Sequence, residues 1–114
     1  STQSGKRTGL TELTWDDTVA TAAMTRSKEI EKSFSHTRPD GRNFGTAITD
    51  LGITYRGAGE NIAWGQKTPE AVMNAWMNSE GHRANILNPN FKKLGVGYRT
   101  DSQRTPYWTQ LFTY

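Results

Sequence analysis

Apolar and polar positions alternate along this chain with two periods, and the change from one to the other outlines the fold. Between Trp15 and Ser33, the residues Val19, Ala22, Ala23, Ile30 and Phe34 recur at near-helical spacing, which predicts an amphipathic helix over 15–33. Thr14-Trp15-Asp16-Asp17 has the form of a capping box, with Thr14 as cap and Asp17 reaching back. Arg26 falls on the apolar stripe and reads as a snorkelling or paired side chain with a structural role. Phe44, Ile48 and Leu51 predict a short helix over 43–51, stopped by Gly52. Thr68-Pro69-Glu70 opens a further helix with a cap, a proline at the first position and an early acid, and Val72, Met73 and Trp76 line its inner face. Ser79 then reads as a fresh N-cap, with Glu80 first and His82 third in a new helix.

The two-residue period takes over elsewhere. Ile62 and Trp64 alternate in YRGAGENIAWG, where the glycines suggest a loop entering a strand. From Lys93 to Arg99, Leu94, Val96 and Tyr98 fall on one face, and Gly95 and Gly97 on the other. Those glycines would let a helix lie flat on that face. Tyr107 to Tyr114 reads as a long aromatic strand. Arg38-Pro39-Asp40-Gly41 and Asn88-Pro89-Asn90 are turn signals. Helical blocks flanking short antiparallel strands make the class α+β.

Composition narrows this picture. The 114 residues suit one domain, spanning 1–114, with a modest core. Mean hydropathy is −0.77, but four each of Trp, Tyr and Phe argue against disorder. The chain has no cysteine, which excludes a disulfide framework and a thiolate metal site. No apolar run approaches membrane-spanning length, and Ser1 to Gly9 is polar without a period or a leader pattern; a trimmed or mature secreted chain would read the same. The net charge of +3 is scattered, with Lys6-Arg7 and Lys92-Lys93 as its basic doublets, so nucleic acid is not an expected partner. Mild attraction to an anionic cell wall or membrane surface remains open.

No GxSxG elbow, HExxH, P-loop or dinucleotide fingerprint is present. The candidate chemistry therefore rests on His36, Glu60, Glu80 and His82. His36 follows a helix end in FSHT, Glu60 sits among glycines, and His82 lies at a helix start. Two imidazoles and a carboxylate brought together by the fold match a three-ligand zinc site with an open water position. The same groups without metal form a polar, pH-sensitive cleft.

GENIAWG, the tryptophan helix, SEGHRANILNPNFKKLGVGY and YWTQLF, in this order, resemble the CAP superfamily. These are the cysteine-rich secretory, antigen-five and pathogenesis-related proteins, or SCP domains, and FSHTRPDG and HRANIL resemble the bacterial, cysteine-free branch. The likeness runs from Leu10 onward. It implies an α-β-α sandwich with a small central antiparallel sheet, an extracellular, secreted or cell-wall-associated setting, and a cleft with a two-His, two-Glu tetrad. His36, Glu60 and His82 match three tetrad positions, and the family's histidines hold zinc or another divalent cation. Glu80 is the candidate for the fourth position by its own route, since longer members carry that glutamate earlier on the tryptophan helix. Family members also begin with a helix that Ser1 to Gly9 is too short to supply.

The family's fold is shared by members of several activities, so the function is read from the residues. A set of ligands without an evident nucleophile points to a binding or interaction module, a monomer with a metal-capable cleft and no established catalysis, for an extracellular ligand of cell-wall, lipid or protein nature. Two alternatives accompany it. One is a hydrolase using zinc-bound water, or Ser79 or Ser35 with a histidine and Glu60. The other is a lipid or sterol binder with Trp64 or Tyr107 along a groove.

Overall fold

The computed structural model describes residues 13–114; the polar start of the chain, and with it the expected departure from the family's first helix, lies outside the described residues. Two glycines decide how its layers meet. Strand β3 (Lys93–Thr100) runs beneath helix α1 (Asp17–Lys32), and a Cβ on Gly95 would fall 2.2 Å from Ala20 N. A Cβ on Gly97 would fall 2.4 Å from the backbone of Ala23. Helix and strand therefore touch backbone to backbone, and only glycine fits between them. The flat helix-on-strand contact expected from this spacing is present.

Three more strands are β1 (Thr14–Trp15), β2 (Ala58–Trp64) and β4 (Pro106–Thr113). Among the described residues they form with β3 a four-stranded sheet in the order β1-β3-β4-β2. β4 pairs antiparallel with both β3 and β2, as expected, whereas β1 runs parallel to β3. That pairing corrects the capping box. Thr14 N donates to Lys92 O at 2.8 Å and Asp16 N to Leu94 O at 2.9 Å, so Thr14 is committed to the sheet. The cap is Asp16, whose Oδ1 accepts from Thr18 N and Val19 N. Asp17 instead accepts from the Trp15 indole at 2.8 Å.

The sheet separates two cores, as the two-residue period requires. On one face, Val19, Ala22 and Ala23 of α1 pack with Leu111, Ala47 and Ile48. On the other, Val72 and Trp76 of α3 (Pro69–Met77) and Ile86 of α4 (Glu80–Ile86) pack with Leu94, Trp108 and Phe112. The architecture is an α-β-α sandwich. Thr68 caps α3 through a bond from Ala71 N at 3.1 Å, with Pro69 at the first position. The helix α2 (Thr46–Thr49) is shorter than the 43–51 that its apolar spacing suggested. Asn43 Oδ1 accepts from Gly45 N and holds the residues before it in a turn, and Gly52 leaves it at φ +86°.

Phe34 departs from the expected buried stripe. α1 ends at Lys32, Ser33 is extended, and Phe34 leaves the helical register 48% exposed. Arg26 keeps its place and is wholly buried, so it is paired rather than snorkelling.

Gly95→Ala or Gly97→Ala is expected to cost at least about 1–3 kcal/mol, because the facing atoms are backbone and cannot swing aside. Gly81→Ala, which meets open space in α4, is expected to stabilise by about 0.5–1 kcal/mol. Urea unfolding midpoints of the three variants against the parent check both signs.

Candidate functional site

Adjacent residues on β2 reach opposite faces of the sheet, and each secures one histidine. Glu60 points toward α1. Its Oε2 accepts from Arg26 Nε at 2.6 Å, and its Oε1 accepts from Arg26 Nη2 at 3.1 Å. Oε1 also lies 2.8 Å from His36 Nδ1. Asn61 points toward α4, where its Nδ2 donates to His82 O at 3.1 Å. Asn85 ties the two faces together, donating to Glu60 O at 3.2 Å and to Asn61 Oδ1 at 3.0 Å. A strand that alternates faces is thus what brings two distant histidines to one place.

That place is a cleft of about 530 Å³ beside the edge strand β2. Phe34, Ser35 and His36 form one wall, and Ala75, Trp76, Ser79 and His82 the other. Ile62, Ala63, Trp64 and Gln66 lie between them. Among the described residues no lysine, arginine or carboxylate lines the cleft, and the two imidazoles are the titratable groups there. Gln66 Oε1 is buried there with no hydrogen-bond partner among the described residues, while its backbone oxygen accepts from the Trp108 indole at 2.8 Å.

The local structure around each histidine differs. His36 sits in a loop held by the Thr37–Asn43 bridge and by the turn at Arg38–Gly41. Its ring meets Phe44 edge-on with centroids 6.2 Å apart. His82 Nδ1 lies 2.9 Å from Ser79 Oγ. Ser79 stands in the expected N-cap position, yet its hydroxyl makes no cap bond, because it turns to His82 instead. Burial, and then the neighbouring His36, hold the His82 imidazole below its ordinary value and favour the neutral ring.

Arg26 is the buried cation beneath the site. Besides Glu60 it donates to Glu29 at 2.8 Å and to the Ser35 carbonyl at 2.5 Å, which fixes the loop before His36. Burial would lower its pKa, but the Glu60 and Glu29 carboxylates raise it above the ordinary value. Removing one partner of such a pair leaves an unpaired buried charge and costs about 3–5 kcal/mol. The chain of charges continues outward from Glu29 to Arg38, Asp50, Arg42 and Asp40.

Of the four expected residues, His36 and His82 line the cleft, and Glu60 does not but is bonded to the His36 ring. Glu80 lies exposed at the start of α4 and is not among the lining residues. The expected three-donor metal arrangement does not form. Both oxygens of Glu60 are committed to Arg26 and His36, and among the described residues no group of three His, Asp or Glu could hold a metal ion. Ser35 Oγ accepts from Thr37 N and serves the loop. Tyr107 does not line the cleft and donates to Asp101, whereas Trp64, 56% exposed, does line it. Sequence reasoning missed Asn61, Asn85 and Gln66. The signal for Asn61 was its place next to Glu60 in an alternating strand.

Fold and site together define the class. A family model for the cysteine-rich secretory protein family, CAP, matches residues 5–112, and the chain belongs to that family. It is 46% identical over 109 residues to Bacillus subtilis (strain 168) YkwD, covering 94% of this chain and 41% of YkwD. Among solved structures, an extracellular SCP-domain protein from Bacillus anthracis str. Ames matches with a TM-score of 0.82 at 36% identity, covering 91% of this chain and 34% of that one. An outer surface protein of Borrelia burgdorferi matches at 0.86 and 23% identity over 98% of this chain and 84% of its own, a likeness of fold. NaASP2, solved with Zn2+, shares the fold at 0.61 and 20% identity over 95% of this chain and 63% of its own. The chain thus spans less than half of YkwD and of the Bacillus anthracis protein. Among the described residues, no helix is long and apolar enough to cross a membrane.

Burial would raise the Glu29 carboxyl, but Arg38 and Arg26 outweigh it and hold the group below its ordinary 4.5. A carboxyl depressed in the folded state stabilises at pH above its unfolded value, and that stability is lost as pH falls through the folded value. Stability is therefore expected to decline steadily below about pH 4.5. Glu29→Gln, less stable at neutral pH, is expected to show a shallower acid slope. Denaturant midpoints measured from neutral to acid pH check this.

Proposed function

We propose that residues 1–114 form one CAP domain that works outside the cell as a ligand-binding module, its cleft presenting His36 and His82 to an exchangeable divalent cation such as zinc. The observation that carries this reading is the matched use of the two rings. Each commits Nδ1 to a protein partner, Glu60 or Ser79, and both line one cleft. A ring anchored through one nitrogen is oriented to offer the other. Two imidazoles suit a cation that keeps open positions for water or a ligand, rather than a closed structural site. When bound, the cation would supply Lewis acidity toward an oxygen of that ligand. Glu60 acts as the anchor of His36, and Glu80 takes no part. The extracellular setting is supported by the relatives' description as extracellular and outer-surface proteins.

Calorimetry on chelator-stripped protein near neutral pH is expected to give one zinc site, lost in both His36→Ala and His82→Ala. Absence of heat in the parent, or a site that survives in either variant, would overturn the reading.

One observation favours a second reading, a hydrolase. Ser79 has left its capping role and bonds to His82, the contact a nucleophile makes with its base. The carboxylate that would orient such a base is on His36 instead, so the elements of a triad are divided between two histidines. Turnover of chromogenic esters or peptides abolished by Ser79→Ala would establish this reading, and turnover unchanged by it would exclude the serine.

A further inference from the structure

We propose that Arg26 is a positioning residue that, through Glu60, locks His36 in the tautomer carrying its proton on Nδ1, while His82 remains free to exchange tautomers. This deepens the cleft reading above and rests on it for its consequence, although not for its geometry.

Glu60 is wholly buried, and the guanidinium of Arg26 grips it with two donors, one on each oxygen. Arg26 has no acceptor to offer, so both Glu60 oxygens accept from it and the carboxylate lies flat against the fork as its ion-pair partner. An ionised carboxylate only accepts hydrogen bonds. The contact of 2.8 Å between Glu60 Oε1 and His36 Nδ1 therefore requires a proton on Nδ1. A free neutral imidazole favours the proton on Nε2, so the buried pair reverses the ordinary preference. The neutral ring consequently carries a lone pair on Nε2.

Arg26 sets the approach direction as well as the charge. Its third contact, to the Ser35 carbonyl, fixes the backbone one residue before His36. One side chain thus holds both the anchor and the loop that bears the ring.

His82 is anchored differently. Its partner is the Ser79 hydroxyl, which both donates and accepts and whose hydrogen rotates. Either tautomer of His82 satisfies the contact. The cleft accordingly offers one fixed acceptor at His36 and one adaptable group at His82. With both lone pairs presented it suits a cation; with His82 reversed, it suits a ligand hydroxyl that donates to one ring and accepts from the other.

Long-range 15N–1H correlation spectra of metal-free protein, labelled at histidine, read the tautomers directly at a pH above both imidazole titrations. The parent is expected to show His36 with a protonated Nδ1 and an unprotonated Nε2. Arg26→Lys keeps the charge but lacks the fork, and the His36 signals are expected to move toward the Nε2-protonated pattern. Glu60→Gln is expected to invert the pattern outright, because the amide nitrogen is best tolerated on the side of the longer Arg26 contact and would then donate to His36. Ser79→Ala is expected to leave His36 unchanged and shift His82 alone. A parent spectrum with the His36 proton on Nε2 would overturn the proposal, as would a folded Arg26→Lys protein with the parent's His36 signals. Should Arg26→Lys fail to fold, the Glu60→Gln spectrum decides, and an unaltered His36 there is equally fatal. A zinc titration of the parent separates this proposal from the one it deepens: locked His36 without zinc binding sinks the cation and keeps Arg26 in its role, and zinc binding to a protein with Nε2-protonated His36 does the reverse.

Discussion

The ion pair between Arg26 and Glu60 is the interaction on which the rest of this structure depends. Both side chains are fully removed from water, and neither charge is tolerable there alone. Arg26 spreads its donors over Glu60, Glu29 and Ser35, and Glu60 divides its oxygens between Arg26 and His36. This network ties α1, β2 and the His36 loop into one geometry. It also explains why Glu60 is unavailable as a metal ligand although it stands between the histidines in sequence.

The site follows from the pleat of a single strand. Had β2 slipped by one residue, Glu60 would face α4 and Asn61 the buried arginine, leaving a charge unpaired on each side. The register against β4, with Glu60 opposite Leu111 and Asn61 opposite Gln110, is thereby enforced by electrostatics as well as by apolar packing. Gln110 takes part directly, its Oε1 accepting from Asn61 Nδ2 at 3.1 Å.

What could be read in the chain was whatever short-range periodicity controls. The glycines at 95 and 97 announced a helix pressed on a strand, Thr68-Pro69 announced α3, and the family motifs named His36, Glu60 and His82 before any of them had a partner. The errors lie where a residue had two possible uses and tertiary contact chose between them. Thr14 could cap a helix or extend a sheet, and the backbone of Lys92 took it for the sheet. Phe34 continued the apolar period one step past the helix that carried it. Ser79 occupied its cap position while its hydroxyl served His82. Arg26 was legible as paired, but its partner lies 34 residues away, beyond anything local spacing encodes.

Strand β2 lies at an edge of the sheet, where exposed main-chain groups would ordinarily invite another chain. Here the indole of Trp76 donates to Ile62 O at 3.3 Å, and Asn85 donates to Glu60 O. The opposite edge, β1, is two residues long. Trp76, part of one wall of the cleft, therefore also blunts the margin of the sheet, and Asn85 does the same beside it. An open cleft can in this way lie beside an edge strand whose Glu60 and Ile62 carbonyls are already taken by side chains of the same chain.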